Sequence, residues 1–208
     1  WKPIYTALVC DIMDQLGHRD QAMSYDIRPS HADAWIAGTA VTLDAYENHQ
    51  EHDDPYGQIF AAYEVAQRGD VFIVATNGEC KSGLWGELLS TRAEYLNAGG
   101  CITDGSVRDV RMIREMGFPL YAGNISPLDT KYRGKLMWSD VPGKIHGVSV
   151  QSGDLIFGDV DGVLVVPGEH VETALEKAFE KVSQENVVRQ KLQEGQTLEQ
   201  IFADHGIL

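Results

Sequence analysis

Gly83–Asp109, GLWGELLSTRAEYLNAGGCITDGSVRD, reads as loop, helix, strand and loop, and that order sets the architecture of the chain. Gly83 and Gly86 punctuate its start. Glu87 to Ala98 then spaces Leu88, Leu89, Ala93 and Leu96 for one buried helical face. Gly99-Gly100 ends that helix, because glycine takes the left-handed conformation that helix C-termini use. Cys101 to Thr103 is a short buried strand, Asp104-Gly105 is a turn signal, and Val110 to Met116 starts a second helix. Arg108 and Asp109 therefore stand at a strand-to-helix tip, where α/β proteins carry their functional side chains.

Working outward, Val71 to Ala75 (VFIVA) is a continuous apolar run, as expected of a strand covered on both faces. It leads through Thr76-Asn77-Gly78 into the first loop. Tyr56 to Arg68 is a helix, and Ala37 to Ala45 alternates as a strand. Between them lies the polar run Tyr46 to Asp54, whose His49, His52, Asp53 and Asp54 fit a solvated turn better than a metal site. Thr6 to Leu16 is a helix with Ala7, Leu8, Ile12 and Leu16 on one face. Asp11 and Asp14 share a side of it as solvated acids. After the core stretch come a strand at Pro119 to Ala122, an irregular segment from Gly123 to Lys144, and short strands at Gly147 to Val150, Leu155 to Phe157 and Val163 to Val166. Glu169 to Leu192 is the longest helix. Its stripe of Val171, Ala178 and Val182, with Leu175 beside it, continues onto Glu185, Arg189 and Leu192, so a glutamate and an arginine stand where apolar residues are expected.

Chemically, Arg108 offers a planar fork for a carboxylate, and Asp109 a hard oxygen ligand for Mg²⁺ or Mn²⁺. A helix starting at Glu87 leaves the N–H groups of Glu87, Leu88 and Leu89 without intrahelical partners, which suits an anion. Capping and surface charge are the plainer reading of an Arg-Asp pair at a helix start.

The acid Glu87 followed by Leu88-Leu89, then DGSVRD with 20 residues between Glu87 and Arg108, resembles the class II pyruvate aldolases. These cleave 4-hydroxy-4-methyl-2-oxoglutarate and 4-carboxy-4-hydroxy-2-oxoadipate, and their superfamily includes the regulator of ribonuclease activity A. The usual acid in the aldolases is Asp, one methylene shorter than Glu87; the regulators have glycine there. The stretches DIMDQLG at Asp11 and FGDVDGVLVVP at Phe157 are also similar to the family.

The resemblance implies one α/β domain over 1–208, a ββα sandwich of the swivelling-domain type. It implies a homotrimer or homohexamer in which the helices from about residue 169 contact a neighbouring subunit. Arg108, Leu88 and Leu89 would bind a small 2-oxo acid, Asp109 would ligate the divalent metal, and Glu87 with Glu185 from a neighbour would hold metal-bound water. Pyruvate release would be the activity, with oxaloacetate decarboxylation beside it. The alternative implied by the same superfamily is a non-catalytic protein-binding regulator. A phosphohistidine carrier would need His146, and a Schiff-base aldolase would need Lys81, which sits in a polar loop rather than an apolar pocket.

Composition bounds these readings. A chain of 208 residues with 43% hydrophobic content can bury a full core without a linker. Thirty-one acids against 17 bases, net charge −14, oppose nucleic-acid binding. No apolar run reaches membrane-spanning length. Three cysteines without Cys-x-x-Cys spacing point to a reducing compartment. The chain begins at Trp1 rather than Met, so a targeting peptide is not readable from it, and cytoplasm is the default expectation.

Overall fold

The computed structural model describes residues 4–50, 53–54, 56–78 and 80–206; His52 lies outside them. In chain order the elements are α1 (Thr6–Gln15), β1 (Arg28–Pro29), β2 (Ile36–Glu47), α2 (Gly57–Val65), β3 (Val71–Ala75), β4 (Gly83–Trp85), α3 (Glu87–Tyr95), β5 (Gly100–Val107), α4 (Val110–Met116), β6 (Leu120–Ile125), β7 (Gly134–Ser139), β8 (Gly143–Ile145), β9 (Val148–Val150), β10 (Leu155–Gly158), β11 (Val163–Val166), α5 (Val171–Gln193) and α6 (Leu198–His205).

Among the described residues, one mixed sheet runs β1-β6-β5-β3-β2-β10-β11, with β4 added to β5 and β7 to β2. Its centre is parallel: β2, β3, β5 and β6 run in one direction, and β4 joins them. Parallel strands need crossovers, and helices supply them. α2, α3 and α4 cover one face, packing Ile59, Ala62, Ala93 and Ile113 onto Phe72 and Val74 of β3 and Cys101 of β5.

The VFIVA run behaves as its composition requires. Phe72 and Val74 face the helices, while Val71, Ile73 and Ala75 enter a second core with Ile102, Ile156, Val163 and Val165. β10 and β11 thus curl over the opposite face of the sheet. Their alternate residues, Leu155, Phe157, Leu164 and Val166, meet Leu8, Ile12 and Met13 of α1 and Ala174 and Ala178 of α5. Period-two alternation lets one thin β layer serve two cores. The result is a single mixed α/β domain with a curled sheet, the fold class expected from the sequence.

Several boundaries differ from the sequence reading. Asp104-Gly105 is not a turn, because β5 runs through it with a register shift between Thr103 and Ser106. The Asp104 carboxylate is buried, and it accepts bonds from Thr76 N (2.7 Å), Thr76 Oγ1 (2.9 Å) and Gly78 N (3.0 Å). The acid stitches two strand ends together, and the extra residue is absorbed as a bulge. α3 stops at Tyr95 rather than at the glycine doublet, since Asn97 already adopts φ 57°. Asparagine tolerates that left-handed region better than most residues. The segment Gly123 to Lys144 is less irregular than expected, because β7 pairs with the edge of β2. Asp54, in the polar run, accepts the N–H of Gly57 at 2.8 Å and so helps start α2. His146-Gly147 forms the turn of the β8–β9 hairpin, both residues with positive φ.

Candidate active site

The site forms at the carboxyl end of β5, flanked by β4 and β6, the position where open parallel sheets leave a crevice. Strand pairing carries on past β5, since Arg108 N donates to Trp85 O at 2.9 Å. That bond fixes Arg108 beside the first loop. Arg108 then lies against two glycines. A Cβ on Gly83 would stand 2.9 Å from Arg108 Cβ, and one on Gly86 would stand 2.7 Å from Asp109 Oδ2 and 3.2 Å from Arg108 Cγ. The glycine punctuation therefore makes room for the two charged side chains.

Trp85 holds the loop itself. It is fully buried, donates Nε1–H to Ser90 Oγ at 2.8 Å, and stacks on Phe118 with ring centroids 6.4 Å apart. Ser90 Oγ in turn donates to Gly86 O at 3.1 Å. From the other side, Gly83 N donates to Leu128 O, and Thr130 Oγ1 donates to Gly83 O at 2.7 Å.

Asp109 does not cap the helix that it precedes. It adopts φ 57°, makes no side-chain cap bond to α4, and turns its carboxylate back to the start of α3, where Oδ2 accepts from Glu87 N at 3.3 Å. Positive φ at a non-glycine residue is uncommon and is held by its surroundings. Asp109 thus caps the start of α3 rather than that of α4, and it and Arg108 stay partly exposed as an ion pair. One of the three first-turn N–H groups is already satisfied by Asp109. Those of Leu88 and Leu89 have no intrahelical partner, as at any helix start.

Arg108 Nε lies 3.5 Å from Asp109 Oδ2, and its Nη1 lies 3.4 Å from Asp129 Oδ2. Asp129 was not foreseen from the sequence. It caps the 3₁₀ turn Thr130–Tyr132 by accepting from Lys131 N, and this bond, with the Arg108 charge, holds its carboxyl below the usual carboxylate range. The only sequence signal was an Asp followed by Thr-Lys-Tyr, an ordinary turn pattern. Glu87 accepts from Thr91 Oγ1 at 2.7 Å, one helical turn on.

Arg108, Asp109 and Asp129, but not Glu87, line a cleft of about 680 Å³. Its walls come largely from α2 and α3, including Tyr56, Phe60, Tyr63 and Leu88. Leu88, expected on the buried face of its helix, is 78% exposed and projects at the cleft instead. Ser90, which takes the Trp85 bond, is buried in its place.

Glu185 does not line this cleft. It accepts a short hydrogen bond from Tyr5 Oη and lies 4.0 Å from Arg189 Nη2. The polar residues on the α5 stripe therefore have partners within the chain. Burial and Glu185 together push the Tyr5 hydroxyl up to about 12.

The donor set for a cation is sparse. Among the described residues no three His, Cys, Asp or Glu side chains converge as a cage. Asp109, 40% exposed, offers a hard carboxylate oxygen at the cleft, and Glu87 stands one residue from the loop. An ion such as Mg²⁺, which keeps several waters and binds through one or two carboxylates, fits that arrangement.

Residues 6–165 match the model of the RraA-like family, described as Aldolase/RraA. The chain belongs to this family. Among relatives, it is 29% identical over 181 residues to a protein of Halalkalibacterium halodurans named "Putative 4-hydroxy-4-methyl-2-oxoglutarate aldolase", covering 87% of this chain and 81% of that one. Protein DlpA of Legionella pneumophila is 28% identical over 200 residues. The match takes in 96% of this chain but only 32% of that protein, so the chain spans about a third of its length. The crystal structure of Streptomyces coelicolor RraAS2, described as an unusual member of the RNase ES inhibitor RraA protein family, superposes with a TM-score of 0.81. Identity is 27%, over 90% of this chain and 93% of that one. The RraA-like family thus holds proteins named as aldolases and proteins named as inhibitors. Among the described residues no helix is long and apolar enough to cross a membrane.

Proposed function

We propose that this chain is a divalent-metal-dependent lyase that cleaves the C3–C4 bond of a 4-hydroxy-2-oxo acid, of the 4-hydroxy-4-methyl-2-oxoglutarate type, and releases pyruvate. The observation that carries the reading is the carboxylate of Asp109. It is turned away from its own helix and set beside Arg108 at the end of a cleft under the start of α3.

In this reading Arg108 binds the substrate carboxylate. Its Nε and Nη1 face Asp109 and Asp129, which orient the guanidinium plane. The N–H groups of Leu88 and Leu89, at the positive end of α3, face the 2-oxo acid group. Asp109 would hold Mg²⁺ or Mn²⁺, with Glu87, and Glu185 supplied by a neighbouring copy, holding water. When bound, such an ion supplies the Lewis acidity that carries negative charge developing on the 2-oxo oxygen. Loss of CO₂ from oxaloacetate leaves the same three-carbon fragment, so decarboxylation accompanies the lyase activity.

A regulator that binds a protein partner shares this fold. The acid at Glu87 and the cleft beside Arg108 favour the enzyme. The test is pyruvate release from 4-hydroxy-4-methyl-2-oxoglutarate and from oxaloacetate, with Mg²⁺ and with EDTA. Release that needs the metal supports the lyase; no release from either substrate, or undiminished release in EDTA, overturns it.

A further inference from the structure

Arg92 lines the cleft as a second guanidinium beside Arg108, and the two are differently engaged. Arg108 faces Asp109 and Asp129. Among the described residues Arg92 makes no ion pair and no side-chain hydrogen bond, not even with Glu64 of α2, which shares the lining. Arg92 is exposed, and its guanidinium lies over the Tyr95 ring at 5.0 Å. Such stacking engages the flat face of the guanidinium and leaves the N–H groups at its edge free to donate. In a chain with 31 acids against 17 bases, this is a fork held ready for an incoming carboxylate.

Its position suits the far end of a short dicarboxylate. Leu88, Leu89 and Arg92 are spaced for one face of α3, and all three line the cleft. In the lyase reading the first-turn N–H groups and Arg108 take the 2-oxo acid end of the substrate. Arg92 stands one turn farther along the helix, a rise of about 6 Å from Leu88, which a five-carbon acid with a carboxylate at each end can bridge. The same cleft presents Leu88, Phe60 and the ring of Tyr63, whose hydroxyl is committed to Leu89 O at 2.6 Å, as apolar surface for the carbon chain. Charge agrees with this assignment. The divalent ion placed on Asp109 and the two guanidinium groups together outweigh the lining carboxylates of Glu64, Asp109 and Asp129, so a dianion enters positive surroundings.

Resting on the lyase reading above, we propose that Arg92 is the residue that selects a dicarboxylate. Its fork binds the carboxylate carried on C4 of a 4-hydroxy-2-oxo acid, while Arg108 binds the carboxylate at C1. Arg92 thus sets which acid is accepted and takes no part in breaking the C3–C4 bond.

The test is calorimetry, with Mg²⁺ present, of 2-oxoglutarate against 2-oxopentanoate, which carries a methyl group in place of the second carboxylate. Neither has the C4 hydroxyl that cleavage requires. The parent protein should bind 2-oxoglutarate about tenfold or more tightly, the scale of one charge-assisted hydrogen bond. Arg92→Gln should abolish that preference by weakening 2-oxoglutarate alone. With 4-hydroxy-4-methyl-2-oxoglutarate the same variant should raise KM and leave kcat nearly as it was, as expected when binding common to the ground and transition states is lost. Arg92→Lys keeps the charge, and with it any service to the helix dipole in the last turn of α3, but loses the fork. It should retain only part of the preference. No preference in the parent protein, or an equal loss for both ligands in Arg92→Gln, overturns this inference. Exchange of the pyruvate methyl protons for deuterium in the parent protein, followed by NMR, tests the lyase reading separately. Exchange without a preference for 2-oxoglutarate leaves the lyase standing and removes Arg92 from it. Absence of exchange together with absence of cleavage overturns the lyase reading itself.

Discussion

Arg108 and Asp109 are adjacent, yet the proposed lyase gives them different work. Arg108→Lys keeps the charge and loses the fork, so inhibition by pyruvate should weaken by about ten- to a hundred-fold, the loss of one charge-assisted hydrogen bond of roughly 1.5–3 kcal/mol. Mn²⁺ affinity should stay near that of the parent protein. Asp109→Asn should do the reverse, removing metal binding and activity at every substrate concentration. Calorimetry with Mn²⁺ checks both, and a lysine variant that no longer binds metal would show the roles to be misassigned. Asp129 adds a third measurement. Its carboxyl is held below the usual range by the Lys131 N–H and then by Arg108, so its charged form favours the folded state. That contribution is present above the ordinary aspartate value of about 3.9 and is lost as pH falls through the lower folded value. Asp129→Asn should therefore lower Tm at pH 6, with the deficit shrinking below about pH 4. A deficit that is constant with pH would assign Asp129 a packing role only.

At the scale of elements, β4, its loop and the start of α3 behave as one rigid support. Trp85 anchors it from below, and the glycines keep its upper side bare. Gly86→Ala would place a methyl group 2.7 Å from Asp109 Oδ2. Activity and Mn²⁺ affinity should fall together, activity by about a hundred-fold, the cost of misplacing a reacting group by around 1 Å. Tm should move little, and an unaltered activity would show that the carboxylate can shift without consequence. α1 and α5 form the other linked pair, through Tyr5 with Glu185 and Lys181 with Asp11. The folded state raises the Tyr5 hydroxyl to about 12, so the protonated form belongs to the native protein. Its stabilisation is present up to the ordinary tyrosine value of about 10 and is lost as pH climbs toward the raised one. Tyr5→Phe should flatten the alkaline limb of the Tm profile between those values. An identical limb in both proteins would show that the bond contributes nothing to folding.

For the whole molecule, Glu185 carries the prediction about assembly. If a neighbouring copy supplies it, Glu185→Ala and Asp109→Asn proteins, each inactive alone, should recover activity when mixed and allowed to exchange subunits. A monomer by light scattering at micromolar concentration excludes that arrangement. By itself the sequence determined the parts governed by local chemistry. VFIVA reads as a strand buried on both faces; the strand-to-helix tip at Arg108-Asp109, the helices read from Thr6 and Glu169, and the turns that separate the late strands follow from periodicity and turn residues. It also carried the family, because DGSVRD and the acid Glu87, with 20 residues between it and Arg108, lie within one continuous stretch. Only the tertiary structure decided what depended on distant residues meeting. Asp104-Gly105 has the chemistry of a turn, and it became part of β5 because Thr76 and Gly78, far back in the chain, bind its carboxylate. Leu88 fits the apolar helical pattern, and it faces the cleft because Trp85 claims Ser90 for the interior. Asp129 looks like any turn aspartate until the segment from Ser126 to Tyr132 is laced to β4 and brings it to Arg108. Glu185 stands on an apolar stripe, and its partner is Tyr5, 180 residues away. Backbone preference acts over a few residues, whereas a site is made of side chains that packing alone brings within reach of one another.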